Sequence, residues 1–377
     1  MILGFLRSLI GPLGQQQLPV FEMLHSTVMT KKLSNAPQWN TLTKKRKSLT
    51  FTGLQLAHAV VKADFLEYRN PILPGAGFLL QSHHVIDWSS PDFCLKKGGS
   101  SLLSDFTRTS MAGRIGQGIT LLFANSLEYA FTAHLRQHLE SIGVATTKKG
   151  KLLPVADFVC DGPNRALFES KASFSEKKNH PSTVKSDLKA ALLKQVNPWK
   201  GKLNPAATKS YVVGTYMREK ADPTCDPTSL VFVDPGEPMI DGELDLPIAM
   251  LRRLNYASWL SAMGISESAE RLRSHQTDGQ RSIAFLIFDV MGHRIAVTDF
   301  LCYDWPFHPQ RAFAAGFELN ALRAIQSAAL GDDRQLLAYR PLLDIPGNGM
   351  GYSIFPDGTF LGSFNPSQII ERFEVRL

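Results

Sequence analysis

The sequence predicts an α/β fold in which a mixed central sheet is flanked by helices. Two apolar runs, residues 152–160 and 166–173, are separated by Asp161, Gly162, Pro163 and Asn164 and read as an antiparallel hairpin. A stretch with leucine and aromatic residues at helical spacing precedes this hairpin, and an amphipathic segment followed by a β-branched run comes after it. The chain of 377 residues is 44% apolar and 20% charged, the balance of a globular protein with room for two or three domains.

Taken in order, residues 1–110 form a basic N-terminal region with no clear periodic pattern. Inside it, residues 1–13 hold an apolar run broken by Arg7 with no small-residue cleavage site behind it, which favours a packed helix over a signal peptide. Residues 115–142 read as a long helix that stops at Gly143. After the hairpin, residues 183–196 place Leu188, Leu192 and Leu193 on one helical side, and residues 210–217 read as a strand. A strand at 230–234 and a loop at 235–238 close a core spanning residues 111–238. Residues 239–377 make an acidic C-terminal α+β region with helices at 247–263 and 311–329 and strands at 283–289 and 294–300. A last hairpin over 352–361 turns at Pro356, Asp357 and Gly358.

The hairpin carries the residues with chemical potential. Side chains alternate along a strand, so Glu169 and Lys171 share a face while Phe168 and Ser170 take the other. A turn centred near Gly162 and Pro163 sets Asp157 opposite Phe168 or Glu169, and a small register adjustment gathers two carboxylates and one ammonium. Carboxylate oxygens suit hard cations such as Mg2+, which can polarise a phosphoryl oxygen and lower the pKa of an attacking water. An ammonium beside them can orient that water or stabilise charge on phosphorus. The chemistry implied is metal-assisted hydrolysis of a phosphodiester.

Asp157 followed after eleven residues by Glu169, Ser170 and Lys171 resembles the D…ExK core of the PD-(D/E)XK nuclease superfamily, with its restriction-endonuclease-like αβββαβ core. The resemblance covers about a third of the chain. It implies that Asp157 and Glu169 bind Mg2+ or Mn2+ and that Lys171 assists the water. Ala156 stands where the family's motif has proline, which is displaced to Pro154. The family often adds an acidic ligand on the preceding helix, which points to Glu128; Gln117 lies nearer that position and would weaken metal binding. A polar residue of the second helix often faces the active site, which points to Gln195. The implied activity is that of a Mg2+-dependent endonuclease acting on nucleic acid, most simply DNA, in restriction, phage defence or a mobile element. The alternative is a non-catalytic nucleic-acid-binding or assembly subunit that keeps the fold.

Charge points to the same partner. Residues 1–60 hold seven Lys or Arg against the single acid Glu22, and residues 148–209 hold thirteen against five, so these segments carry net +14 in a chain of net +7. Localised basic charge is what a polyphosphate backbone requires. No lysine follows Lys220, and the negative balance of the C-terminal region favours a protein partner or self-association there. Cys94, Cys160, Cys225 and Cys302 show no paired spacing, which argues against a zinc site and a disulfide framework and fits a reducing cytoplasm. No stretch reads as membrane-spanning.

Overall fold

The structure is a computed structural model that describes residues 14–30, 39–64, 72–148, 150–174, 181–219, 228–236, 241–305, 308–342 and 351–377. The expectation for residues 1–13 lies outside the described residues. The chain is mixed α/β and forms two units whose segments interleave. One comprises residues 15–51 and 81–247, the other residues 1–14, 52–80 and 248–377. No helix among the described residues is long and apolar enough to cross a membrane.

The first unit is built on a seven-stranded mixed sheet, ordered β2-β1-β10-β9-β7-β6-β3. Its strands are β1 (Gln15–Met23), β2 (Thr43–Thr52), β3 (Phe131–His134), β6 (Phe158–Asp161), β7 (Arg165–Ser173), β9 (Lys209–Tyr216) and β10 (Ser229–Val233). Two small ribbons accompany it, β4 (Thr147–Lys148) with β5 (Lys151–Leu152) and β8 (Leu203–Asn204) with β11 (Leu244–Asp245). β9 and β10 are buried almost throughout, as the apolar runs of central strands demand. β7 pairs antiparallel with β6 and parallel with β9. Its burial stops at Glu169, so the strand leaves the core where the chemistry-bearing residues begin.

The Asp105–Ser126 helix packs on β7 with unusual closeness. Ser104 caps it by accepting from the Thr107 N–H. A Cβ built at Gly116 would lie 2.4 Å from the Cβ of Ala172 and 3.3 Å from Ser170 Oγ, so only glycine permits this approach. Gly116→Val is expected to lift the helix and cost about 1–3 kcal/mol by overpacking, as denaturant titration would read.

Sequence periodicity misplaced several boundaries. The helix expected over 115–142 is three elements: the Asp105–Ser126 helix, β3 and the Leu135–Ser141 helix. Residues 183–196 divide into the Pro181–Ala191 α-helix and a π-helical turn, Leu192–Val196. The N-terminal region, in which the sequence shows no clear periodic pattern, supplies β1 and β2 to the main sheet.

The second unit holds a six-stranded antiparallel sheet, ordered β15-β16-β14-β13-β12-β17. Its strands are β12 (Ser282–Val290), β13 (His293–Trp305), β14 (His308–Glu318), β15 (Tyr352–Ile354), β16 (Thr359–Phe364) and β17 (Ile369–Arg376). The helix expected over 311–329 begins only at Leu319, because residues 311–318 pair as β14 with β13 and β16. The Gly53–Asp64 helix belongs to this unit and is buried over most of its length. Its His58 Nδ1 lies 3.0 Å from Ser353 Oγ, and Lys62 pairs with the buried Asp357. Asn255 also donates to Asp357, at 2.7 Å, which completes an internal polar network.

Candidate active site

The hairpin register places Phe158 opposite Phe168, so Asp157 precedes β6 at the level of Glu169. Strand β6 is shorter than expected, and residues 153–157 lie outside regular structure before it begins. That freedom lets Asp157 meet both neighbours on β7. Its backbone N–H donates to Glu169 Oε2 at 3.1 Å, and its own Oδ2 accepts from the Ser170 N–H at 2.8 Å. Lys171 Nζ donates to Glu169 Oε1 at 2.6 Å. Glu169 is 1% exposed, whereas the Lys171 side chain is 34% exposed and reaches solvent. The structure thus joins Asp157, Glu169 and Lys171 in one bonded group.

Gln117 joins them from the Asp105–Ser126 helix, its side chain hydrogen-bonding to Asp157. The close approach at Gly116 is what brings the next residue within reach. Glu128 does not join. It lies beyond the helix end in a left-handed turn at φ 66°, exposed, with its carbonyl against Gly162. That is the far end of the hairpin, about 16 Å of strand from Asp157.

Electrostatics mark this group as unsettled. Burial raises the Asp157 carboxyl above its ordinary value, against the opposing pull of the Ser170 N–H, Lys171, Gln117 and Arg136. Burial and then the charge of Asp157 push Glu169 up to about 8, with Lys171 acting against the shift. A half-buried and a buried carboxylate in contact disfavour each other's ionisation, and a divalent cation held by both offsets that cost. The donor set therefore fits Mg2+ or Mn2+ with Asp157 and Glu169 as ligands. Among the described residues no third acidic, histidine or cysteine side chain joins them, and Gln117 occupies the adjacent place. Gln117→Glu is expected to lower metal-free stability by about 1–3 kcal/mol while enlarging the rise in melting temperature produced by Mn2+.

Gln195 sits in the π-helical turn and lines a cavity of about 400 Å³ together with Lys171. π-turns recur at functional sites because the extra residue re-aims side chains. Sequence reasoning missed Tyr216 and Asp187, which line the same cavity. Their signal was faint, a tyrosine two residues past Gly214 and a lone acid in a lysine-rich helix.

The basic residues divide into structural and available groups. Lys185 and Lys189 donate to the carbonyls of Thr30 and Met29 at 2.7 and 3.0 Å, and Lys200 is 3% exposed. Lys44, Lys45, Arg46 and Lys47 lie exposed on the edge strand β2, with Arg46 paired to Glu22. β2 is four strands from β7, about 19 Å across the sheet, so this basic run stands apart from the carboxylates. Lys194 lines the cavity itself. Cys94 and Cys160 are both buried and outside any disulfide.

Comparison of the chain with known protein families, with curated proteins and with solved structures gives no match.

Proposed function

We propose that this protein is a metal-dependent nuclease that hydrolyses phosphodiester bonds of nucleic acid, with DNA as its substrate. The observation that carries this reading is the bonded group of Asp157, Glu169 and Lys171 at the point where β7 leaves the core. A fold alone would be a weak warrant. A buried carboxylate held against a half-buried one, beside an accessible ammonium, is costly to maintain, and metal-assisted hydrolysis gives it a use.

Asp157 and Glu169 would hold Mg2+ or Mn2+, which when bound supplies Lewis-acid polarisation and a more acidic water. Lys171 is fixed by Glu169 and presents its remaining N–H groups toward solvent, where they can orient a water or neutralise a phosphoryl oxygen. Ser170 and Gln117 hold Asp157 in place through its carboxylate. Gln195 faces the same cavity as Lys171 and can hydrogen-bond the strand being cut. With the Leu135–Ser141 helix and the β4–β5 ribbon inserted between β3 and β6, the succession of the Asp105–Ser126 helix, β3, β6, β7, the Pro181–Ala191 helix and β9, whose strands neighbour one another in that order in the sheet, supports an αβββαβ core of the restriction-endonuclease kind.

The test is cleavage of plasmid, linear duplex, single-stranded DNA and RNA in Mg2+ or Mn2+, with Asp157→Ala as control. Metal-dependent cutting by wild type and none by the variant is the expected result. The amide of Gln117, standing beside Asp157 where an acid would strengthen the site, favours a second reading as a non-catalytic nucleic-acid-binding subunit. Nucleic-acid binding that ignores Mg2+ and Mn2+, with no cutting, would select it.

A further inference from the structure

Beside the carboxylates, a cavity of about 400 Å³ opens between β7, β9, the Pro181–Ala191 helix and the π-helical turn. Its polar walls are Lys171, Ser173, Asp187, Lys194, Gln195 and Tyr216. We propose that this cavity receives one unpaired nucleotide of the substrate, so that the site acts on single-stranded or locally opened nucleic acid. The inference rests on the nuclease reading above and names its substrate class.

Size is the first argument. Ligand pockets run from about 300 to 1,000 Å³, and a cavity near the lower end suits a single nucleotide. A base inside a continuous duplex stays stacked and cannot enter such a recess unless it is extruded.

The walls supply the second. Tyr216 is 1% exposed, and its hydroxyl has no hydrogen-bond partner. A buried hydroxyl left in that state is costly, and a ligand that accepts from it removes the cost. Burial, reinforced by Asp187, holds the phenol well above its ordinary range, so Tyr216 remains a donor at neutral pH. Its ring lies over Gly214, where a Cβ would come within 2.6 Å of it, and Gly214 is paired with Lys171 on β7. The missing side chain therefore seats the tyrosine next to the catalytic lysine.

Charge separates base from phosphate. Asp187 can only accept while ionised, Tyr216 donates, and Gln195 does both. A nucleobase edge presents donors and acceptors side by side, whereas a phosphate presents acceptors alone and is repelled by Asp187. Lys171 and Lys194 are the cationic groups of the same wall and suit the flanking phosphates.

Fluorescence anisotropy in Ca2+ tests this, using labelled single-stranded DNA about 12 nucleotides long and the same strand in a blunt duplex. The single strand is expected to bind at least about tenfold more tightly, and Tyr216→Phe to lose about 3- to 10-fold of that affinity without changing duplex binding. Ala190→Phe, on an exposed residue at the cavity wall, plugs the recess without touching the core and is expected to abolish the preference. Equal or tighter duplex binding, or an unchanged preference in both variants, overturns the proposal. A preserved single-strand preference with no cutting in Mn2+ supports the cavity and overturns the nuclease reading.

Discussion

Lys171→Met is expected to slow cleavage by about 10²- to 10⁴-fold at saturating metal, the range seen when a positioned proton donor or charge stabiliser is removed. The methionine keeps the apolar stem, so the loss reports the ammonium and not the packing. Lys171 reaches solvent but its partner Glu169 is buried, so removal of the ammonium leaves Glu169 Oε1 without its donor and is expected to lower the melting temperature, while circular dichroism at the assay temperature checks that the variant is folded. A second effect accompanies the first. Lys171 opposes the upward shift of Glu169, so its loss leaves that carboxyl harder to ionise and raises the metal concentration needed for half-maximal rate. Single-turnover cleavage at several Mn2+ concentrations separates the two, and a variant that cuts at the wild-type rate would remove Lys171 from the mechanism.

Metal affinity is expected to depend steeply on pH. Glu169 titrates near 8 in the native protein against an ordinary value of 4.5, so between those values the native state holds a proton that the unfolded chain has lost. Glu169 therefore contributes stability that is full below pH 4.5, where both states are protonated, and is lost as pH rises through 8. The full loss is on the order of 5 kcal/mol for this one group. Binding of Mn2+ must displace that proton, so affinity should tighten by up to about tenfold per pH unit within the window and level off above it. Calorimetry in buffers of different ionisation enthalpy would detect the released proton. Glu169→Gln should flatten the stability profile, and an affinity for Mn2+ that ignores pH would show that Glu169 is not a ligand.

The residues most readable in the sequence were those whose environment is local. Asp161, Gly162, Pro163 and Asn164 announce a turn, and flanking apolar residues announce strands, so spacing narrowed the place of Asp157 to opposite Phe168 or Glu169, and the hairpin register selects Glu169. Distant pairing was invisible. Residues 311–318 are rich in alanine and read as helix, yet β13 and β16 on either side draw them into the sheet, and Glu318 then caps the helix that follows. The break near Glu128 carries no proline or glycine; a non-glycine residue in a left-handed conformation ends the helix there, and four residues of β3 follow too briefly to show a period. Charge was legible as a quantity but not as a location. Lys185 and Lys189 count as basic residues in the sequence and serve as props for the C-terminal end of the His25–Met29 helix in the fold.

The pairing of the Gly53–Asp64 helix with residues 353–357 has a consequence for biosynthesis. His58 and Lys62 meet Ser353 and Asp357 across 295 residues of chain. At a ribosomal rate of about 5–20 residues per second, that separation leaves the helix waiting roughly 15–60 s for its partners. Throughout that interval a nascent chain presents leucine, valine and alanine side chains that the finished protein hides, together with a histidine and a lysine destined for the interior. The candidate active site can assemble earlier, since its residues all precede position 248. Translation thus creates a client for chaperones before it creates a finished protein, and a fragment ending before residue 248 would carry the same adhesive helix permanently.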